Sequence, residues 1–321
     1  MSRARLSVLS ASLLIAACSG SSDQFDSPGP EGGTFNITSA NGQTAAQVAW
    51  ESVVASGELT DLGGSLGFAA AAPDGVSKAS LTKPAGLVVS VMQKIPFGPD
   101  IFACLSDGSV TISGDIAVPG TLTADDTFTV VYTLCDEGTG EVVDGLVEFT
   151  VGDFTGELLT GAYMLSMDAV VTNLQVMTST DTLTSNGDAT VTLDTMVSQF
   201  VEAGTSGTSM TTDSNASSAT IMSFQSHQTL DGNQQNLPYT ISASGRLDTT
   251  KLGGIVSYST PVEFSGAGTD FPSEGVLLVE GTNSLARLTA VDNVSVTIEL
   301  DINGDGVTDE TVNTTWVDLT T

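Results

Sequence analysis

The chain has 321 residues, with 38 Asp and Glu against 8 Lys and Arg, and a formal net charge of −30. A polyanion of this strength repels nucleic acid and anionic lipid headgroups, which excludes the nucleic-acid-binding classes. Only 14% of residues are charged while 40% are hydrophobic, so the chain can bury a core and is not a disordered acidic tail.

Arg3 and Arg5 precede an apolar run from Leu6 to Ala17, which ends in Ile15-Ala16-Ala17-Cys18 ahead of Ser19. A basic start, a short apolar centre and small residues before a cut describe a secretory signal over residues 1–17. A cysteine at the first mature position makes it a lipoprotein signal, with the Cys18 thiol as the group that carries the acyl chains. The run is too short for a permanent transmembrane helix, and several chains on one cysteine exceed the single chain that anchors only marginally. The expectation is attachment to a bacterial membrane through Cys18. Ser19 is not the Asp that typically retains lipoproteins at the inner membrane, so the expected address is the outer membrane, on its periplasmic or exterior face.

Export decides the remaining cysteines. Cys104 and Cys135 are left as a pair in an oxidising compartment, and a disulfide is the expected outcome. Closing that loop stabilises by about 3–4 kcal/mol in the chain-entropy picture. With His227 the only histidine and no other thiol, no ligand set for a structural zinc remains.

From Cys18 the chain is rich in Ser, Gly, Asp and Pro, and reads as a flexible tether over 18–43. Residues 44–100 read as a helical segment. Thr44 with Gln47 forms a capping-box pattern, Val48, Trp50, Val53 and Val54 supply an apolar face, and Gly57 stands as a stop, which predicts a helix over 44–56. Leu87, Val88, Val91, Met92 and Ile95 recur at helical spacing before Pro96, which predicts a second helix over 85–95. The stretch 62–72 carries no assignable pattern.

Residues 101–321 change to a period of two. Val110 and Ile112 alternate with Ser and Thr; so do Phe128, Val130, Tyr132 and Leu134, and later Val294, Val296, Ile298 and Leu300. Alternation with a hydroxyl-rich wet face marks antiparallel strands half-buried against one core. Turn pairs such as Asn186-Gly187, Asp231-Gly232 and Asn303-Gly304 punctuate the runs. The expected fold is mainly β: an antiparallel meander forming a β-sandwich or an open or closed barrel, with a short helical N-terminal segment. A transmembrane barrel needs aromatic girdles, and a chain with 6% aromatic residues displays none.

The sharpest chemical motif is Asp301-Ile302-Asn303-Gly304-Asp305-Gly306-Val307-Thr308-Asp309. Calcium takes six to eight oxygens, and side-chain oxygens at positions 1, 3, 5 and 9 with a backbone carbonyl at 7 can wrap it, while Gly at 6 permits the sharp turn. Asp301, Asn303, Asp305, Asp309 and the Val307 carbonyl supply that set. Position 12 is Val312 in place of the bidentate Glu of a helix–loop–helix site, so the loop belongs to a β-hairpin tip between a strand over 293–300 and another over 311–319. It resembles the short Asp-x-Asn-Gly-Asp-Gly-x-x-Asp calcium loops of exported bacterial proteins. Together with the lipobox and the strand-rich body, the chain resembles an uncharacterised family of bacterial outer-membrane lipoproteins; the resemblance implies architecture and address and no activity.

Weaker patterns have plainer readings. Asp115 to Asp126 echoes a calcium loop, but Ala117 and Pro119 offer no side-chain oxygen, and a plain loop is expected. Gly63-Gly64-Ser65-Leu66-Gly67 matches a nucleophile elbow with His227 later in the chain, without the strand and βαβ context a hydrolase needs. Trp50 and Trp316 are expected in the core. The resulting expectation is a lipid-anchored, non-enzymatic interaction or structural module with a calcium-stabilised β-hairpin, its protein partner or apolar ligand unassigned; the alternatives are a carrier of lipids or other apolar ligands in a barrel cavity, and a hydrolase.

Overall fold

The computed structural model describes residues 34–65 and 97–320, apart from breaks at 119–120, 137, 139, 158–161, 180, 198–199, 232–236 and 269. Cys18 and the 85–95 helix lie outside the described residues.

Fourteen antiparallel strands form one sheet, each paired with its sequence neighbours. They are β1 Phe97–Ala103, β2 Asp107–Asp115, β3 Thr127–Asp136, β4 Val142–Glu157 and β5 Ala162–Met177. Then follow β6 Thr182–Asp194, β7 Phe200–Asp213, β8 Ser218–Asp231, β9 Pro238–Thr249 and β10 Gly254–Ala267. The last four are β11 Glu274–Gly281, β12 Ser284–Ala290, β13 Ser295–Asp301 and β14 Glu310–Thr315. The expected meander is present; β1 and β14 are its two edges and do not pair, so the sheet is open, neither a closed barrel nor a two-sheet sandwich. Helix α1 is Gly42–Ser65 and helix α2 is Trp316–Thr320.

The period-two pattern explains the layers. On β5, Tyr163, Leu165, Met167, Ala169 and Val171 are buried while Met164, Asp168, Val170 and Thr172 are exposed. Glu148, Asp188 and Glu202 are likewise exposed on neighbouring strands, and such charges are incompatible with a lipid-facing apolar band. Bulges bend the ladder where Leu134, Asn173 and Ser223 adopt φ values of 46°, 47° and 46°. Asp144 Oδ1 accepts the Leu134 amide at 3.1 Å and Asn186 Oδ1 the Asn173 amide at 2.8 Å, satisfying donors that each bulge takes out of the ladder. Gly145, at φ 129°, faces Asn173, whose carbonyl a Cβ would overlap.

Helix α1 packs on the inward face against β6–β9 and β11–β13. It starts earlier than the expected residue 44: Asn41 is the N-cap, its carbonyl accepting the Ala45 amide at 2.9 Å. The capping box does not form, because Gln47 Nε2 donates forward to Glu51 Oε1 at 3.0 Å. Nor does Gly57 end the helix. An interior glycine costs only about 0.5–1 kcal/mol, which the buried face of Ala45, Val48, Ala49, Trp50 and Val53 outweighs.

The chain is docked before α1, so the tether expected over 18–43 does not extend across 34–41. Phe35 donates its amide to Ile255 O at 3.2 Å and accepts the Thr282 amide at 2.7 Å, and the Ile37 amide donates to Ser284 Oγ at 2.8 Å. At the other terminus the strand expected over 311–319 stops at Thr315. Thr315 Oγ1 caps α2 by accepting the Asp318 amide at 3.1 Å, and the Trp316 amide donates to Val294 O at 2.9 Å.

An up-and-down meander puts alternate turns at opposite ends. The 302–309 turn, the β1–β2 turn and the docked residues 34–37 share one end, termed upper. The β8–β9, β10–β11 and β12–β13 turns and α2 share the lower end.

Candidate metal loop, disulfide and cleft

β13 delivers Asp301 to the upper end with its carboxylate turned into the loop. Asp301 Oδ1 accepts the Gly304 amide at 2.7 Å and the Asn303 amide at 3.3 Å, and Oδ2 accepts the Gly306 amide at 2.8 Å. Asn303 Oδ1 accepts from Asp305 N, and Asp305 Oδ1 from Val307 N, each at 2.9 Å. Asp309 Oδ2 closes the loop on Ile302 N at 2.9 Å. These are successive Asx turns, the local bonding for which Asp and Asn are suited, and they require the left-handed φ of 74° at Gly304 and 81° at Gly306.

Partial loss of solvent opposes ionisation of Asp301, but the amides of Gly306, Gly304, Asn303 and Asp305 outweigh it and hold its pKa below the ordinary 3.8. Three carboxylates, one carboxamide oxygen and the Val307 carbonyl, all within one short loop, are hard oxygen donors of the kind Ca²⁺ takes. Among the described residues no three His, Cys, Asp or Glu side chains converge into a ready cage. Gly304 rests on the β11–β12 turn, where a Cβ would lie 2.8 Å from Asn283 O.

Cys104 and Cys135 form the expected disulfide, with their Cα atoms 5.5 Å apart. Cys104 follows β1, a strand that straddles the end of the 44–100 stretch expected to be helical and whose alternation Pro99 interrupts. The bond therefore spans β2, tying the edge of the sheet to the end of β3.

Other singled-out residues take structural positions. Asp126 is buried, with Oδ1 accepting Ala117 N at 2.8 Å and Oδ2 accepting Thr123 N at 2.6 Å; it closes the β2–β3 turn as a plain loop. His227 Nε2 lies 2.8 Å from Glu202 Oε1 on the outward face. Ser65 ends α1, which packs on the inward face. Trp316 is fully buried, 4.7 Å from Trp50 and stacked on Phe271 at 5.7 Å.

Sequence reasoning missed a cleft of about 500 Å³ at the lower end, between the ends of β8, β9 and β10 and the turns that follow β10 and β12. Asp231, Tyr239, Asp270, Glu274 and Asn293 line it, with Phe271 on the wall toward Trp316. Tyr239 Oη donates to Asp270 O at 2.7 Å, and Asn293 Nδ2 lies 3.4 Å from Asp270 Oδ2. Burial first, and the charge of Asp270 second, push the Tyr239 hydroxyl well above its ordinary pKa. No linear signal marks this site, since its residues come from four separate segments.

No protein-family model, curated protein or solved structure matches the chain.

Proposed function

We propose that the protein is a lipid-anchored module of the bacterial outer membrane, non-enzymatic, which engages partners through a β-sheet body whose β13–β14 hairpin is stabilised by calcium. The observation that carries this reading is the 301–309 loop: Asp301, Asn303 and Asp305 already fold the backbone around themselves through 2.7–2.9 Å bonds to Gly304, Asp305, Gly306 and Val307 amides. A calcium ion there would be held by Asp301, Asn303, Asp305, Asp309 and the Val307 carbonyl, and would offset the repulsion among those acids and Glu310.

The loop lies on Asn283, and its neighbours Thr282 and Ser284 hold Phe35 and Ile37. A stiffened hairpin would thus steady the point where the chain enters the body from the Ser- and Gly-rich stretch after Cys18. A non-enzymatic reading is supported by His227, which bonds Glu202 on the face opposite α1 and its Ser65. The carrier alternative gains nothing from β6–β9, whose inward face is occupied by α1.

The test is thermal melting of the full mature chain in chelator and in millimolar calcium. Lacking a position-12 Glu, the site should bind with Kd of about 10⁻⁴ to 10⁻³ M, so 1 mM calcium should stabilise by about 0.4–1.4 kcal/mol. Asp301→Ala and Asp305→Ala should each abolish the shift while Asp115→Ala leaves it; a melting temperature unmoved by calcium overturns the metal reading.

A further inference from the structure

We propose that Asn303 is a self-modification site. Of the three Asn-Gly pairs in the chain, at 41–42, 186–187 and 303–304, it is the one that lies outside every helix and ladder, and it cyclises to a succinimide that opens to aspartate and isoaspartate, with Asp301 as the brake. The chemistry consumes only water and does not depend on calcium.

The Gly304 nitrogen gives its proton to hydroxide and attacks Asn303 Cγ. The new N–Cγ bond closes the succinimide ring, the Cγ–Nδ2 bond breaks, and Nδ2 takes a proton from water and leaves as ammonia. Water then opens the ring at Cγ, giving aspartate, or at the Asn303 main-chain carbonyl carbon, giving isoaspartate with the main chain running through Cβ. A glycine after the Asn leaves the attacking nitrogen unshielded and the backbone able to turn. Regular structure fixes φ and ψ and prevents that turn.

The fold separates the three pairs. Gly42 opens α1 with its amide on Thr38 O at 2.9 Å, and Asn41 is held at both side-chain ends, by Thr38 N at 2.7 Å and Asn36 O at 3.2 Å. Asn186 and Gly187 belong to β6, where Gly187 pairs with Val171 on one side and Met210 on the other. Asn303 and Gly304 are exposed between β13 and β14 and belong to no ladder. Their restraint is local: Gly304 N–H donates to Asp301 Oδ1 at 2.7 Å, and Asn303 Oδ1 accepts Asp305 N–H at 2.9 Å. The Gly304 proton therefore points at Asp301, and both bonds break before the nitrogen turns onto Cγ. A hydrogen bond to an ionised carboxylate is about twice as strong as a neutral one, which makes Asp301 the main restraint.

The two products differ in consequence. Aspartate keeps the side-chain acceptor and adds a charge. Isoaspartate lengthens the main chain between 303 and 304, which shifts Gly304 from Asn283, against whose carbonyl it packs, and loosens the hairpin from the β11–β12 turn that holds Phe35 and Ile37.

The experiment incubates the full mature chain in chelator at mildly alkaline pH and follows Asn41, Asn186 and Asn303 by peptide mapping that distinguishes isoaspartate from aspartate. The reference is the peptide acetyl-Asp-Ile-Asn-Gly-Asp-Gly-amide, which has the same sequence without the fold. Asn303 should convert at least tenfold faster than Asn41 and Asn186, and severalfold slower than the peptide. Asp301→Asn should speed conversion of Asn303 severalfold while Asn41 and Asn186 change less than twofold. Glu310→Gln, which removes a nearby charge and leaves the bond between Asp301 and Gly304 in place, should change all three less than twofold. Asn303 reacting no faster than the other two, the folded chain reacting as fast as the peptide, or Asp301→Asn leaving Asn303 unchanged or speeding all three alike overturns the proposal. The comparison of the folded chain with the peptide needs no variant and decides the matter if Asp301→Asn melts early.

Discussion

The rings of Trp50 in α1 and Trp316 at the start of α2 lie 4.7 Å apart, and Phe264 of β10 meets the Trp50 ring edge-on at the same distance. This cluster joins the helix on the inward face to the last turn of the chain. Trp316 also satisfies its indole N–H twice, on Pro272 O at 3.0 Å and Asp292 O at 3.2 Å. Trp316→Ala should destabilise by about 3–5 kcal/mol, the range for a deleted buried aromatic. Trp316→Phe should cost about 1–3 kcal/mol through the carbonyls left unpaired. Urea unfolding with an unchanged slope would measure both.

Acid should expose two carboxylates. The backbone amides of Val294 and Ser295 hold Asp292 below the ordinary 3.8, and the loop amides do the same for Asp301 against its partial desolvation. A folded pKa below the unfolded one adds stability that is fully present above the unfolded value and is lost as pH falls through the folded value. In chelator, Asp292→Asn and Asp301→Asn should each be less stable than the parent by a margin that is constant near neutrality and narrows below about pH 4. A margin that persists undiminished into strong acid would assign the effect to lost geometry instead of charge.

Non-reducing peptide mapping should recover Cys104 joined to Cys135, as the 5.5 Å Cα separation places them. Reduction should lower stability by about 3–4 kcal/mol while far-ultraviolet circular dichroism stays nearly unchanged, because the β1–β2–β3 ladder does not depend on the bond for its hydrogen bonds.

Gly145 and Gly140 make a matched pair of substitutions. Both have positive φ, 129° and 87°, but a Cβ on Gly145 overlaps Asn173 O whereas one on Gly140 meets nothing within 4 Å. Gly145→Ala should cost at least about 2 kcal/mol, because backbone strain and overlap at the bulge add. Gly140→Ala should cost about 1 kcal/mol from backbone conformation alone. Thermal melts of the two variants side by side would compare them directly.

Cys18→Ser should remove the acyl anchor and shift the protein from the membrane fraction to a soluble or uncleaved species, as read by fractionation and mass spectrometry of the N-terminus. Continued membrane association of the variant would exclude Cys18 as the anchor.

Local chemistry was legible in the sequence and cooperative geometry was not. The alternation of Phe128, Val130 and Tyr132 with Thr predicts a strand because side chains alternate across any strand whatever surrounds it, and a succession of such strands with short turns dictates the antiparallel meander. The Asp301–Asp309 loop is readable for the same reason: the side-chain hydrogen bonds that fold it run between residues of one short stretch. The Cys104–Cys135 pair is legible by elimination, as the two cysteines left once Cys18 is set aside for the expected lipid. Tertiary structure decided the rest. Asn41 displaced Thr44 as the cap of α1 and the helix ran through Gly57, because the burial of Trp50 and Val53 outweighs local end signals; β1 formed despite Pro99 because an edge strand can leave one side unpaired. Whether the strands make a sandwich, a barrel or one open sheet depends on twist accumulated through bulges at Leu134, Asn173 and Ser223, which no single strand's pattern encodes. The lower-end cleft exists only because the meander returns Asp231, Tyr239, Asp270 and Asn293 to the same end of the sheet, a juxtaposition produced by strand length and register and not by any motif.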